Sequence, residues 1–160
     1  MSRPTLEQLN ASGPTDFATA LRSLFETAPP LLDALYAQRP FASYAALIDT
    51  AEGLAQSMSL QQQVEVLGAH PRIGAAPTTL SAASLREQGG ASTVDTELAE
   101  LNDQYERKFG FRFVVFVNRR PKTEIVSVLK ERLQHSRDEE LATGLRDMFR
   151  IARDRLATDA

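Results

Sequence analysis

Apolar residues recur along most of this chain at intervals of three and four, which places their side chains on one face of an α-helix. Pro14-Thr15-Asp16 supplies helix-opening chemistry, and Phe17, Ala20, Leu21, Leu24 and Phe25 continue one stripe. Pro29-Pro30 stops that run and opens a shorter one carrying Leu31, Leu32, Leu35 and Tyr36, closed by Arg39-Pro40. Ser43 stands where a cap belongs, ahead of Tyr44, Leu47, Ile48, Ala51, Leu54, Ala55 and Met58. Ser59 with Gln62 reads as a capping box for a helix through Leu60, Val64 and Leu67, broken at Gly68.

Beyond a Pro/Gly-rich stretch, Ser84–Gln88 predicts a short helix, and Asp95 a cap for a long one with Val94, Leu98, Leu101, Tyr105 and Phe109 inward. Gly110 sits where a left-handed residue would end it. Phe111–Val117, FRFVVFV, is the one strand-like run, and no other segment looks like a pairing partner. A lone strand cannot satisfy its backbone, so a buried extended connection is expected, with N–H and C=O groups open to a ligand. Asn118-Arg119-Arg120-Pro121 is a turn. Thr123 would cap a helix with Val126, Leu129 and Leu133, and a last helix from near Asp138 carries Leu141, Leu145, Met148, Ile151, Ala152 and Leu156 inward. The expected fold is all-α: residues 1–160 as a single-domain bundle of about eight helices with one buried extended segment, 111–117.

Composition narrows the function classes. There is no cysteine, which excludes disulfides and thiolate chemistry. MSRPTLEQLN lacks an apolar signal core and no apolar run reaches membrane-spanning length, so a cytoplasmic protein with no membrane partner is expected. A net charge of −3 hides an asymmetry: residues 1–106 carry 5 basic and 13 acidic side chains, residues 107–160 carry 13 and 8. The acidic balance argues against nucleic-acid binding. The basic second half suits an anionic small molecule or a complementary subunit surface, although most of its arginines read as solvated helix faces.

His70–Gly90, HPRIGAAPTTLSAASLREQGG, concentrates the candidate chemistry. A lone histidine is more often structural, but His70 lies in a loop between helices, and Pro71 restricts the backbone there. Ser84, Glu87 and Gln88 fall at i, i+3 and i+4 on one helical face, offering a hydroxyl, a carboxylate and an amide. That set suits a flat heterocycle with urea-like groups, with His70 as general acid/base and a carboxylate setting its pKa. No metal-ligand spacing, GxGxxG, Walker loop or GxSxG is present, so neither a metal nor a cofactor is expected. His135 reads as a helix C-terminal residue favourable to the dipole. Arg146, Arg150 and Arg153 share a solvent face, whereas Arg155 sits at the edge of the apolar stripe and wants an anion. A substrate carboxylate or a neighbouring Glu or Asp would serve. On single residues alone, a noncatalytic helical binding module ranks ahead of an enzyme.

The combination of HPRIG (70–74), SLREQ (84–88), LNDQYERKFGFRFVV (101–115), ERL (131–133) and IARDRL (151–156) closely resembles the 2-oxo-4-hydroxy-4-carboxy-5-ureidoimidazoline (OHCU) decarboxylases of urate breakdown, from about Phe17 to Leu156. The resemblance implies an all-α, cofactor-free lyase, a homodimer, that converts an anionic ureidoimidazoline to (S)-allantoin and carbon dioxide. His70 then matches the catalytic histidine, with Glu87 beside it. Pro71, Ser84, Gln88, Arg155 and the backbone of Val115 and Val117 match the substrate contacts. The chain departs from the family pattern at Arg72-Ile73, at His135, and at Arg112, which replaces a proline and is expected to loosen the extended segment.

Overall fold

Eight α-helices and no β-strand make up the regular structure among the residues described in the computed structural model of this chain, 3–25, 28–70 and 92–158. They are α1 (Leu6–Ala11), α2 (Pro14–Leu21), α3 (Pro29–Ala37), α4 (Tyr44–Gln56), α5 (Leu60–Gly68), α6 (Ser92–Phe109), α7 (Lys122–Arg132) and α8 (Arg137–Thr158). The C-terminal α8 is the axis of the bundle. It packs on α4 and α5, α3 leans on α4, and α6 pairs with α7. Phe17, Leu21, Leu31, Leu35, Leu47, Ile48, Leu67, Tyr105, Leu129, Met148 and Phe149 are wholly buried between these layers.

Capping chemistry sets several boundaries. The Ser43 hydroxyl accepts from Ala46 N at 2.9 Å, and Ser59 with Gln62 forms the expected reciprocal box. Gly110 ends α6 at φ 80°. Five features differ from expectation. Thr5 and Gln8 form a second capping box and start α1, a helix too short to show a periodic stripe. The first long stripe breaks: α2 ends at Leu21, and a turn delivers Leu24 and Phe25 to the core instead. Helix α6 begins at Ser92 and α7 at Lys122, so Asp95 and Thr123 lie inside first turns rather than at caps. The inward face of α5 is Gln63, Val66 and Leu67, and Leu60 is exposed; Gln63 Nε2 donates to Ala55 O at 3.0 Å and so closes the end of α4.

Two glycines shape the packing at the ends of α5 and α6. At Gly110 the left-handed backbone turns the chain so that Phe111 and Phe113 fold back onto Tyr105, with ring centroids 5.9 and 5.2 Å apart. Buried Gly144 on α8 lets α5 approach closely: a Cβ there would stand 3.2 Å from Leu67 Cδ1. That contact seats the end of α5, from which His70 hangs.

Candidate functional site

Helix α5 runs out at His70, whose N–H closes the last turn on Leu67 O at 3.1 Å. The imidazole is 4 % exposed, and its Nε2 meets no hydrogen-bond partner among the described residues. Burial lowers its pKa from 6.5 to about 4, with help from the charges of Arg155 and then Arg112. The ring is therefore neutral near pH 7 and keeps a lone pair to accept a proton.

Arg112 does more than supply charge. Its Nη1 donates to His70 O at 2.5 Å and to Gly68 O at 3.4 Å, while Nε lies 3.5 Å from Glu106. The side chain thus tethers the backbone carrying His70 to the connection after α6. Where sequence reasoning expects a loosened segment, the guanidinium replaces a ring constraint with hydrogen bonds.

Half-buried Arg155 projects from the last turns of α8, where Nη1 donates to Leu24 O at 3.1 Å. No carboxylate pairs with it among the described residues. It lines a cavity of about 330 Å³ with Val115, Phe116, Val117, Asn118, Arg119, Ile151 and Asp154. Three expected substrate contacts (Val115, Val117 and Arg155) therefore share one cavity, and the charge of Arg155 is felt at His70. Pro71, Ser84, Glu87 and Gln88 lie outside the described residues. A larger cavity, about 900 Å³, opens among Arg3, Gln8, Ser12, Asp16 and Thr19 but holds none of the expected site residues, so size alone does not make it the site.

Residues 112–117 take neither helix nor strand form, in keeping with the expected connection. Side chains stand in for a missing sister strand. Arg132 Nη1 donates to Val114 O at 2.8 Å, Phe116 N donates to Asp147 Oδ2 at 3.0 Å, and Arg120 Nη2 donates to Phe116 O at 2.5 Å. Arg120 also meets Val117 O through Nε at 3.0 Å and through its own N–H at 3.0 Å. Asn118 and Arg119, in the cavity wall, hold φ of 49° and 62°, a left-handed pair that forms the turn after the segment.

Behind the segment lies a polar cluster that sequence reasoning missed. Glu140, wholly buried, accepts from Tyr105 Oη at 2.7 Å and Arg132 Nε at 2.7 Å through Oε1, and its Oε2 lies 2.7 Å from His135 Nδ1. Arg132 lies over the Phe113 ring, 4.6 Å from its centroid. Burial and the bond to Glu140 push the Tyr105 hydroxyl pKa well up, so it stays a donor. His135 accordingly lies past the end of α7, in the turn before α8, and its role is pairing with Glu140 rather than the dipole interaction expected. On α8, Arg153 is not simply solvated: Nη2 bridges Asp49 at 2.9 Å and Glu52 at 2.8 Å on α4. Among the described residues no group of three or more His, Asp or Glu is placed to hold a metal ion, and no helix is long and apolar enough to cross a membrane.

Comparison with known proteins gives a consistent answer. A family model described as OHCU decarboxylase matches residues 10–157. The chain is 32 % identical to the 2-oxo-4-hydroxy-4-carboxy-5-ureidoimidazoline decarboxylase of Halalkalicoccus jeotgali, over 98 % of this chain and 92 % of that protein. It is 32 % identical to the uric acid degradation bifunctional protein PucL of Bacillus subtilis over 96 % of this chain, but spans only 32 % of that longer protein. Among solved structures, an OHCU decarboxylase crystallised in the presence of (S)-allantoin aligns with TM-score 0.66 at 25 % identity, over 86 % of this chain and 94 % of that one. An (S)-allantoin synthase aligns with TM-score 0.68 at 22 % identity and shares the fold; this chain covers 98 % of itself and 54 % of that chain in the alignment.

Proposed function

Because the chain belongs to the OHCU decarboxylase family, we propose that it is a cytoplasmic, cofactor-free carboxy-lyase converting 2-oxo-4-hydroxy-4-carboxy-5-ureidoimidazoline to (S)-allantoin and carbon dioxide. In this reading residues 1–160 act as one catalytic domain, and two copies form a homodimer. The observation that carries it is the meeting of Arg155, Val115 and Val117 on one cavity, with the charge of Arg155 felt at a buried, neutral His70.

The substrate is its own electron sink. Its carboxylate sits on a carbon that also bears a hydroxyl, next to a C=N bond conjugated with the ureido group. When carbon dioxide leaves, the bonding pair forms a C=C bond to the neighbouring carbon, and the C=N pair moves onto nitrogen, which takes up a proton. The enol then gives up its hydroxyl proton to become a carbonyl, and the adjacent carbon gains one. The balance is one proton taken up per carbon dioxide released.

The protein's work is orientation and one-sided proton movement. His70, neutral at working pH, accepts the hydroxyl proton and delivers one to the adjacent carbon from a single face, which sets the (S) configuration. Glu87 supports the resulting imidazolium or holds the ureido group. Ser84 and Gln88 read the heterocycle's edges, Pro71 fixes the loop against it, and backbone groups of Val115 and Val117 pair with its amide-like groups. Arg155 holds an anionic oxygen with its planar fork.

Circular dichroism on freshly generated substrate tests this, because spontaneous decay yields racemic allantoin. A fast rise of the (S)-enantiomer that disappears in His70→Ala is expected. Racemic product at the spontaneous rate from the wild-type protein would overturn the reading in favour of a noncatalytic helical module. Sedimentation of the purified protein at the mass of two chains is expected; a single-chain mass would remove the homodimer from the proposal.

A further inference from the structure

Along residues 114–116 the segment beside the cavity is held from one edge, and on the other edge Arg120 takes Val117 O. The bonds to Val114 O, Phe116 N and Phe116 O fall on alternate residues, as they do along one edge of an extended chain. The donors and acceptor come from three elements: Arg132 on α7, Asp147 on α8 and Arg120 in the turn between segment and α7. The opposite edge belongs to Val115 and Val117. Their N–H groups meet no partner among the described residues, and both residues line the cavity. Glu140, anchored by Tyr105 and His135, in turn fixes the guanidinium of Arg132.

We propose that Asp147, Arg132 and Arg120 are positioning residues for substrate binding: by pairing one edge of residues 114–116 they fix the register in which Val115 offers its N–H and C=O, and Val117 its N–H, to an amide-bearing ligand. The inference rests on the reaction proposed above and deepens it. None of the three lines the cavity that holds Arg155. They act through the segment, so their loss loosens the complementary edge and weakens ligand binding more than it slows the chemical step. Asp147 is the most informative of the three, because its carboxylate is the sole acceptor for the Phe116 N–H among the described residues.

Asp147→Leu removes that acceptor, whereas Asp147→Asn keeps an oxygen in its place. In Asp147→Leu, KM should rise about tenfold, the loss of roughly one hydrogen bond, with kcat within about threefold. Asp147→Asn should recover most of the KM defect. Amide hydrogen exchange, read by NMR, should show the Phe116 N–H losing protection in Asp147→Leu and regaining it in Asp147→Asn. Arg120→Met, at a half-exposed side chain, should raise KM in the same direction if Asp147→Leu fails to fold. Leu31→Ala, in α3 and remote from the segment, controls for lost stability and should not raise KM.

An active wild type with KM unchanged in both Asp147→Leu and Arg120→Met overturns the positioning role. So does an Asp147→Leu protein whose Phe116 amide exchanges as slowly as in the wild type. A wild type that yields only racemic allantoin at the spontaneous rate overturns the reaction itself, whatever the exchange data show.

Discussion

At the residue scale, His70 is the sharpest case. Its burial beside two guanidinium groups disfavours the charged ring, so kcat/KM should stay flat as pH falls from neutrality and drop only as pH approaches about 4, where the free imidazole protonates. An acid limb near the ordinary histidine value would count against a neutral base. The same depression acts on stability. The unfolded chain takes up the proton first, so stability is full above about pH 6.5 and is lost as pH falls toward 4, by roughly 3 kcal/mol for a shift of this size. Urea unfolding at about pH 7 and about pH 4.5 should therefore show a smaller acid loss in His70→Asn than in the wild type. Much of this was legible in the sequence, where His70 stands before a proline at the end of an apolar stripe. The depression was not, since it depends on Arg112 and Arg155, 42 and 85 positions along the chain.

At the scale of elements, helices could be read from the sequence wherever a cap and a stripe agreed, as for α4 and α5. Agreement failed where tertiary packing outvoted period. Leu24 and Phe25 are core residues that a turn delivers, and α1 announces itself only by Thr5 and Gln8. Glu140 was illegible for a different reason: in SRDEEL it looks like an ordinary first-turn acid, and only Tyr105, Arg132 and His135 make its burial tolerable. Removing one partner of a buried pair leaves the other charge uncompensated. Arg132→Met should accordingly cost about 3–5 kcal/mol in urea unfolding, while the double variant Arg132→Met/Glu140→Leu should recover part of it. If the single variant loses less than about 1 kcal/mol, the cluster is open to water and the segment is not anchored from within.

At the scale of the whole molecule, the charge asymmetry of the sequence has a partly internal answer. Cations of the second half meet anions of the first: Lys122 with Asp95, Lys130 with Glu97, and Arg153 with Asp49 and Glu52. These pairs are exposed or half-exposed, and such pairs contribute little each. Helix α8 therefore carries arginines of one chemistry and opposite purposes, two positions apart. Arg153 ties α8 to α4, whereas Arg155 faces the cavity and uses only the Leu24 carbonyl among the described residues. Arg153→Ala should lower stability by no more than about 1 kcal/mol and leave KM unchanged. Arg155→Lys should leave stability within about 0.5 kcal/mol yet raise KM, because an ammonium cannot reproduce a planar two-pronged contact with an anionic oxygen. Paired urea and kinetic measurements on the two variants separate the roles. Were Arg155→Lys to keep its KM and lose stability instead, Arg155 would be a strut between α8 and the turn after α2, and the anion-binding role would pass to another residue of the cavity wall.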